Sequence, residues 1–227
     1  MTVAELNTYM ETHPEIDHEI DDGIAALSEV DKSLIIDSRM AWHFTKGTFK
    51  VYLSCDVETG SIRIMNANRA CEHCSTLEET IANTRARRES EKKRYREQYG
   101  VDIKDLSNYS LVVDTTNATP EEVAECIISG YNAWQNDKGL TSAYISPERL
   151  NYPDTPADSE AVAELSERLD AGESIPEVTV FERDGEFYIA DGLESALAYS
   201  FNMALFIPAH LVSGEPLCEY VKMKNSL

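Results

Sequence analysis

Short apolar runs alternate with helical patterns between residues 33 and 114, and this alternation constrains the fold more than any other feature. The apolar runs lie at residues 33–37, 49–53 and 110–114, each bounded by polar residues. Such runs are typical of strands buried on both faces. The longest helical pattern, residues 76–99, separates the last two runs and is followed by Gly100, a residue that commonly ends helices. Strands separated by helices predict an α/β fold around a parallel sheet.

A second helical pattern precedes the first apolar run. Over residues 14–27 the apolar side chains recur at helical spacing, at Ile16, Ile20, Ile24 and Leu27. This spacing predicts a buried apolar stripe with acidic residues on the opposite face. Further upstream, Thr2 and Glu5 have the spacing of a capping box, which predicts a short N-terminal helix.

The pattern changes after the predicted helix at residues 121–134. The sequence Asn136-Asp-Lys-Gly139 is polar and ends in glycine, which predicts a linker. Beyond them, two strand patterns flank the turn at residues 183–185, with a helical pattern on either side and a last strand near residue 210. We therefore predict a first domain at residues 1–135, a linker at 136–140 and a small α+β domain at 141–227.

Composition excludes several classes of protein. The formal charge of −21 repels phosphate backbones, so we expect no general nucleic-acid binding. No run of 18 apolar residues is present, and the N-terminus lacks the pattern of a secretory signal. Five scattered cysteines fit a reduced environment better than a disulfide framework. We expect a cytoplasmic protein that neither crosses nor binds a membrane.

The basic residues of this acidic chain are concentrated in one helix. Seven lysines and arginines fall within residues 85–96, namely Arg85, Arg87, Arg88, Lys92, Lys93, Arg94 and Arg96. A cationic cluster in an anionic chain favours a local anion site. The alternative is a solvated helix face, on which Glu89, Glu91 and Glu97 form ion pairs one turn apart.

These residues carry a resemblance to the archaeal-type cytidylate kinases of the P-loop nucleoside monophosphate kinase family. The similar pieces are Leu6-Asn7, residues 14–21, Leu34-Ile-Ile-Asp-Ser-Arg39, Arg88-Glu-Ser-Glu-Lys-Lys-Arg-Tyr95, residues 99–106 and residues 109–114. Together they cover roughly residues 5–134. The resemblance implies phosphoryl transfer from ATP, with Mg²⁺, to CMP or dCMP.

Such chemistry depends on cations placed around the transferred phosphoryl group. Arginine suits this task because its planar fork pairs with two phosphate oxygens and stays charged. The resemblance assigns Arg87 and Arg94 to catalysis, Arg39 and Glu91 to binding of the acceptor nucleotide, and Arg63, Arg69 and Arg88 to the lid. Arg87, Glu91 and Arg94 also share one helix face by their spacing alone.

The phosphate-binding loop of that family has no counterpart in these residues. The pattern Gly-x-x-x-x-Gly-Lys-[Ser/Thr], which holds the donor phosphates, occurs nowhere in the 227 residues. We therefore expect an incomplete kinase-like sheet that is inactive by itself. Either the chain is a fragment of a longer kinase, whose activity an upstream loop would restore, or it is a non-catalytic interaction or regulatory protein built from two degenerate nucleotide-binding folds.

The C-terminal residues 141–213 resemble the ParB/sulfiredoxin-like domain. Active members bind phosphate at a helix start that follows an Asp-Gly pair, whereas the sequence here is Asp191-Gly-Leu-Glu-Ser195. The resemblance places Leu193 and Ser195 where those members have His and Arg, and Glu194 adds a negative charge. Residues 139–227 also hold 16 acidic residues against 5 lysines and arginines. We expect a scaffold, a protein-contact module or a self-association module, and a ParB-like nucleic-acid regulator is disfavoured by charge.

One cysteine-rich stretch, Cys71-Glu-His-Cys74, has donor types that zinc prefers. Structural zinc takes four ligands, and no second pair accompanies this one. We therefore predict no metal site.

Overall fold

The computed structural model describes Glu5, Tyr9 and residues 12–67, 76–216 and 218–222. The chain divides into two compact units. Unit 1 consists of Met1–Thr48 and Val57–Asn108, and unit 2 consists of Phe49–Asp56 and Tyr109–Leu227. The predicted capping box at Thr2, the Leu6-Asn7 pair, Arg69 and the Cys71–Cys74 stretch lie wholly or partly outside the described residues.

The described part of unit 1 is helical. Its α-helices are α1 (Pro14–Ala26), α2 (Ala41–Phe44), α3 (Val57–Asn66) and α4 (Leu77–Tyr99). Helix α1 packs against α2, and α3 packs against α4.

Helix α4 begins and ends where the sequence predicts. Thr76 is the N-cap, and its hydroxyl accepts a hydrogen bond from the backbone N–H of Glu79 at 3.2 Å. Gly100 ends the helix in the left-handed region, at φ 69°, and its N–H donates to the carbonyl of Arg96 at 3.0 Å. A glycine adopts this backbone conformation without the steric cost that a Cβ would bring. The prediction of this helix is confirmed.

Helix α1 forms as predicted, but it faces its neighbours with a different side. Asp17 and Asp21 are buried, whereas Ile20, assigned to the buried stripe, is 51% exposed. The prediction of a buried apolar stripe is wrong for Ile20, whereas Ile16, Ile24 and Leu27 are half-buried. The reason is chemical: α4 presents a cation and a phenol to α1, so carboxylates rather than isoleucines satisfy the contact.

The predicted strand at residues 33–37 is also wrong. These residues form no strand, and the side chains of Leu34 and Ile35 are 46% and 103% exposed. An apolar run becomes a strand only when a neighbouring strand supplies hydrogen bonds. No described residue forms a strand pair with this segment.

Unit 2 contains an eight-stranded sheet and the remaining described helices. Its strands are β1 (Val51–Ser54), β2 (Leu111–Asp114), β3 (Ser142–Ile145), β4 (Leu150–Pro153), β5 (Val178–Arg183), β6 (Glu186–Asp191), β7 (Ile207–Leu211) and β8 (Tyr220–Lys222). Its helices are α5 (Pro120–Asn136), α6 (Ser159–Asp170) and α7 (Leu193–Phe201). The strand order is β1-β2-β3-β7-β5-β6-β4-β8.

The sheet is mixed. Strands β1, β2 and β3 are parallel neighbours, as alternating strands and helices predict, while β7 joins β3 in the antiparallel direction. The core between α5 and this part of the sheet centres on Leu111, Val113, Ala118 and Val123. The α/β fold class predicted from the sequence is confirmed.

The sheet continues across the segment that the sequence assigns to a linker. Strand β2 precedes residues 136–140 and β3 follows them, yet Leu111 pairs with Ser142 in adjacent positions. Both strands belong to unit 2. The compact units therefore differ from the domain boundaries predicted from the sequence. The reason is that β2 and β3 pair with each other although the predicted linker lies between them in the sequence.

None of the described helices combines the length and the apolar character needed to cross a membrane.

Substitution of Gly192 tests how closely the backbone at the start of α7 packs against the rest of unit 2. Its φ is +82°, and a Cβ there would lie 2.7 Å from the carbonyl oxygen of Glu177 and 3.1 Å from the Cα of Val178. We expect Gly192→Ala to lower the free energy of unfolding by about 2–4 kcal/mol, because left-handed strain and a backbone clash add together. Urea denaturation measures this change.

Gly172→Ala is the matched control for that substitution. Gly172 has φ +75°, and nothing lies within 4 Å of its ideal Cβ position. Only the conformational cost remains there, about 1–2 kcal/mol. Equal losses for the two variants would show that the close approach at Gly192 contributes nothing.

Candidate functional site

The predicted site centres on the face of α4 that carries Arg87, Glu91 and Arg94, which we call the arginine face. Arg87, Glu91 and Arg94 lie four and three residues apart, so they project from the same side of the helix. The side chains of Glu91 and Arg94 are only 5% and 7% exposed. A solvated face with surface ion pairs, the alternative left open by the sequence, does not describe these two residues.

Glu91 holds two arginines. Its Oε2 lies 3.1 Å from Nε of Arg39, and its Oε1 lies 4.0 Å from Nε of Arg87. The three side chains differ in exposure, with Arg39 at 54% and Arg87 at 25%. The buried carboxylate therefore lies close to Arg39, which is mostly exposed, and more distantly to Arg87, which is partly buried.

Arg94 is the most deeply buried cation of this face. Its Nε lies 2.9 Å from Oδ2 of Asp17, which forms an ion pair without the alignment of a hydrogen bond. The guanidinium carbon lies 5.2 Å from the ring centroid of Tyr95. Nη1 is buried and has no hydrogen-bond partner among the described residues. A buried donor without an acceptor is unfavourable, so an anionic oxygen that reached this atom would satisfy it.

A second acidic residue of α1 contacts α4 one turn further along. The Tyr99 hydroxyl donates a hydrogen bond to Asp21 Oδ2. Burial raises the pKa of the Asp21 carboxyl above its ordinary value, although the bond from Tyr99 opposes this change. Burial and the adjacent Asp21 raise the pKa of the Tyr99 hydroxyl as well. Asp17 and Asp21 thus connect α1 to α4 through polar contacts.

The end of α4 is fixed by Asp102. This carboxylate lies 2.7 Å from Nη2 of Arg96 and 3.8 Å from Nζ of Lys92, and it accepts the backbone N–H of Lys104 at 3.0 Å. Burial acts to raise the pKa of Asp102, but the Lys104 N–H and the two cations outweigh it and hold the pKa below the ordinary value. Two members of the basic cluster therefore serve the helix terminus rather than the arginine face.

The predicted lid residues do not take part in the described ion pairs of Glu91. Arg63 is exposed in the last turn of α3, and Arg88 is half-buried on α4. Arg69 lies outside the described residues. The described contacts that join Arg39, Arg87 and Glu91 include neither Arg63 nor Arg88.

The start of α7, where the sequence predicts that a phosphate would not be held, serves the packing of unit 2. Gly192 is the N-cap residue, and no side chain caps the helix there. Glu194 Oε1 accepts the backbone N–H of Asp158 at 3.3 Å, and Ser195 is 2% exposed. These contacts join the beginning of α7 to the beginning of α6.

Asp114 is a buried carboxylate to which the sequence assigned no role. It ends β2 with 0% exposure and accepts hydrogen bonds from the Thr116 hydroxyl at 2.6 Å and from the Ser146 N–H at 3.3 Å. Burial raises its pKa, and these bonds oppose the rise. Asp114 therefore connects the carboxyl ends of the parallel strands β2 and β3.

Sequence reasoning missed Asp17 and Asp21 as partners of the arginine helix. A signal was available, because two acidic residues four positions apart share one face of a helix. Isoleucines at the same spacing supported the opposite orientation. Spacing alone cannot show which of two faces of a helix is buried when residues recur at helical spacing on each of them.

Comparison with known proteins gives relatives for more than half of the chain. No family model matches it, and no solved structure matches it significantly. A cytidylate kinase of Thermoplasma volcanium is 35% identical over 133 residues, covering 57% of this chain and 67% of the kinase. A cytidylate kinase of Methanothermobacter thermautotrophicus is 34% identical over 121 residues, covering 53% of this chain and 72% of the kinase.

A relative with a different activity matches to a similar degree. An S-adenosylmethionine-dependent nucleotide dehydratase of Lacinutrix mariniflava is 37% identical over 131 residues, covering 58% of this chain and 26% of the dehydratase. The chain thus spans about two thirds of the two kinases and about a quarter of the dehydratase.

The contact between Asp21 and Tyr99 leads to a prediction about pH. The folded-state pKa of Asp21 lies above its ordinary value of 3.8, so the folded state retains the proton to higher pH than the unfolded state. Stability therefore falls as pH rises through the interval above 3.8. We expect Asp21→Asn, which can still accept the Tyr99 hydrogen bond, to remove this fall.

Urea denaturation of both proteins between about pH 4 and pH 7 measures the effect. The stability of Asp21→Asn relative to the unaltered chain should improve as pH rises above 3.8 and level off once pH passes the folded-state pKa of Asp21. Parallel stability curves would contradict the assignment. Glu15→Gln, at an exposed position of the same helix that does not contribute to the Asp21 shift, is the control.

Proposed function

The chain belongs to the cytidylate kinase family, and on this premise we propose that unit 1 binds the phosphate of CMP or dCMP on the arginine face of α4. The observation that carries the proposal is the arrangement of Arg39, Arg87 and Arg94 around buried carboxylates. Their exposure decreases from Arg39 to Arg94, so a phosphate meets the accessible cations before the buried one.

The same arrangement supports roles for the individual residues. Arg39 and Arg87 present guanidinium edges whose inner sides Glu91 already occupies. A bidentate pairing with phosphate needs such a fixed fork. Glu91 then acts by orienting these arginines, which differs from the direct contact with the acceptor nucleotide that the resemblance implies. Arg94 contributes the buried donor Nη1.

Phosphoryl transfer is a further step, and the residues in hand do not fit its donor side. The sequence contains no Gly-x-x-x-x-Gly-Lys-[Ser/Thr] loop for the phosphates of ATP. Within residues 12–67, 76–216 and 218–222, no cluster of three or more His, Cys, Asp or Glu side chains could hold a metal such as Mg²⁺. We therefore propose nucleotide binding by these 227 residues and no transfer by them alone.

The two kinds of relative support nucleotide binding more directly than phosphoryl transfer. Cytidylate kinases and the nucleotide dehydratase are named for different reactions, and both names refer to nucleotides. Recognition of a nucleotide is the property that such relatives can share.

The second candidate function is a non-catalytic interaction or regulatory protein. The beginning of α7 favours it, since Glu194 and Gly192 there serve packing and leave no cation to hold a phosphate. In this case the C-terminal part, which we propose to be a ParB/sulfiredoxin-like scaffold, supplies the contact with a protein partner or a second copy of the chain.

Substitution of Arg94 tests the proposed binding site. We expect the full chain to bind CMP in calorimetry at fixed ionic strength, and Arg94→Gln to weaken binding about 10- to 100-fold, because a charge-assisted hydrogen bond is lost. Arg85→Gln is the matched control, since Arg85 is an exposed arginine of the same helix. Its effect should stay within about twofold. Equal effects of the two substitutions would contradict the site.

A transfer assay separates the two candidate functions. We expect no CDP from CMP, ATP and Mg²⁺ with the 227-residue chain, because its sequence has no Gly-x-x-x-x-Gly-Lys-[Ser/Thr] loop for the donor phosphates. A gene that continues upstream with an in-frame phosphate-binding loop should give an active extended chain. CDP formation by the 227 residues alone would rule out the non-catalytic reading. Absence of CMP affinity in the full chain would rule out the kinase-like one.

A further inference from the structure

We propose that Asp17 is a positioning residue for nucleotide binding, which orients Arg94 toward the phosphate. The inference rests on the proposed function, because it gives a role to a residue outside the predicted site. Asp17 lies on α1, and its described contact with the arginine face is the 2.9 Å ion pair with Arg94.

Burial makes this role necessary. The Arg94 side chain is 7% exposed, and its partner Asp17 is 5% exposed. A guanidinium cannot stay in such surroundings without an opposite charge, because its desolvation is not otherwise offset. An arginine side chain also has many rotamers, so without Asp17 the group would turn toward water. Among the described residues, no other carboxylate forms an ion pair with Arg94.

The pair leaves the useful edge of the guanidinium unoccupied. Asp17 approaches Nε, while Nη1 has no hydrogen-bond partner within the described ranges. The Tyr95 ring lies 5.2 Å from the guanidinium carbon. Asp17 and Tyr95 together restrict the orientation of the group, so a phosphate that displaces the atoms covering Nη1 would find a donor already oriented.

The neighbouring acid of α1 provides an internal comparison. Asp21 is also buried, but it accepts the Tyr99 hydroxyl and forms no described ion pair with an arginine. Two aspartates one turn apart on one helix therefore have different partners: Asp17 contacts a cation of the site, whereas Asp21 contacts a phenol.

Calorimetry with CMP and with cytidine tests the inference on the full chain. If Asp17 acts through Arg94 on the phosphate, Asp17→Asn should weaken CMP binding about 10-fold and leave cytidine, which has no phosphate, unchanged. Loss of structure would weaken both ligands equally. Asp21→Asn should alter neither affinity.

A double substitution identifies the route of the effect. Asp17→Asn combined with Arg94→Gln should bind CMP no more weakly than Arg94→Gln alone, since Asp17 then has nothing to orient. Independent, additive losses would overturn the inference, and so would tighter CMP binding by Asp17→Asn. If Asp17→Asn does not fold, Asp17→Glu takes its place, because it keeps the charge and moves the carboxylate.

Inorganic pyrophosphate separates failure of the inference from failure of the proposed function. A chain that ignores CMP but binds pyrophosphate in an Asp17-dependent manner contradicts the nucleotide proposal and supports the inference. CMP binding that does not change on substitution of Asp17 supports the nucleotide proposal and contradicts the inference. A chain that binds neither probe overturns both.

Discussion

The buried ion pair between Arg94 and Asp17 determines how α1 and α4 are arranged in unit 1. Each charge is almost fully removed from water, so each depends on the other. An apolar pair of similar size would stabilise such a contact as well or better. Asp21 and Tyr99 repeat the polar contact one turn along. Stability alone therefore does not explain these two polar contacts, and our proposal gives the first of them a role in binding.

Unit 2 uses its conspicuous polar residues differently. Asp114 accepts hydrogen bonds at the ends of β2 and β3, and Glu194 accepts one from the start of α6. Gly192 allows the backbone to approach Glu177 more closely than any Cβ would permit. Each feature that suggests a binding site in the C-terminal sequence is thus engaged in packing. The cationic face of α4 is the contrasting case, because Nη1 of Arg94 is left without a described acceptor.

Local sequence rules predicted α4 well and α1 only in part. Thr76 and Gly100 define the ends of α4 through contacts made within a few residues, so their effect can be read without the rest of the fold. The inward face of α1 depends on what lies opposite, and Arg94 is more than seventy positions away. The strand prediction for residues 33–37 was wrong for the same reason. A strand forms only beside another strand, and a local sequence pattern does not show whether one is there. The arginine face was predicted by spacing and resemblance, while the carboxylates that fix it were not.

Binding of a nucleotide and transfer of its phosphate place different demands on a protein. Binding needs cations in a fixed arrangement, and buried carboxylates can maintain it by holding one edge of each guanidinium. Transfer also needs a second set of donors for the ATP phosphates. We propose that Arg39, Arg87 and Arg94 meet the first demand, with Glu91 and Asp17 as their carboxylate partners. Because the two demands fall on different residues, a chain can carry the residues for binding without those that hold the donor phosphates.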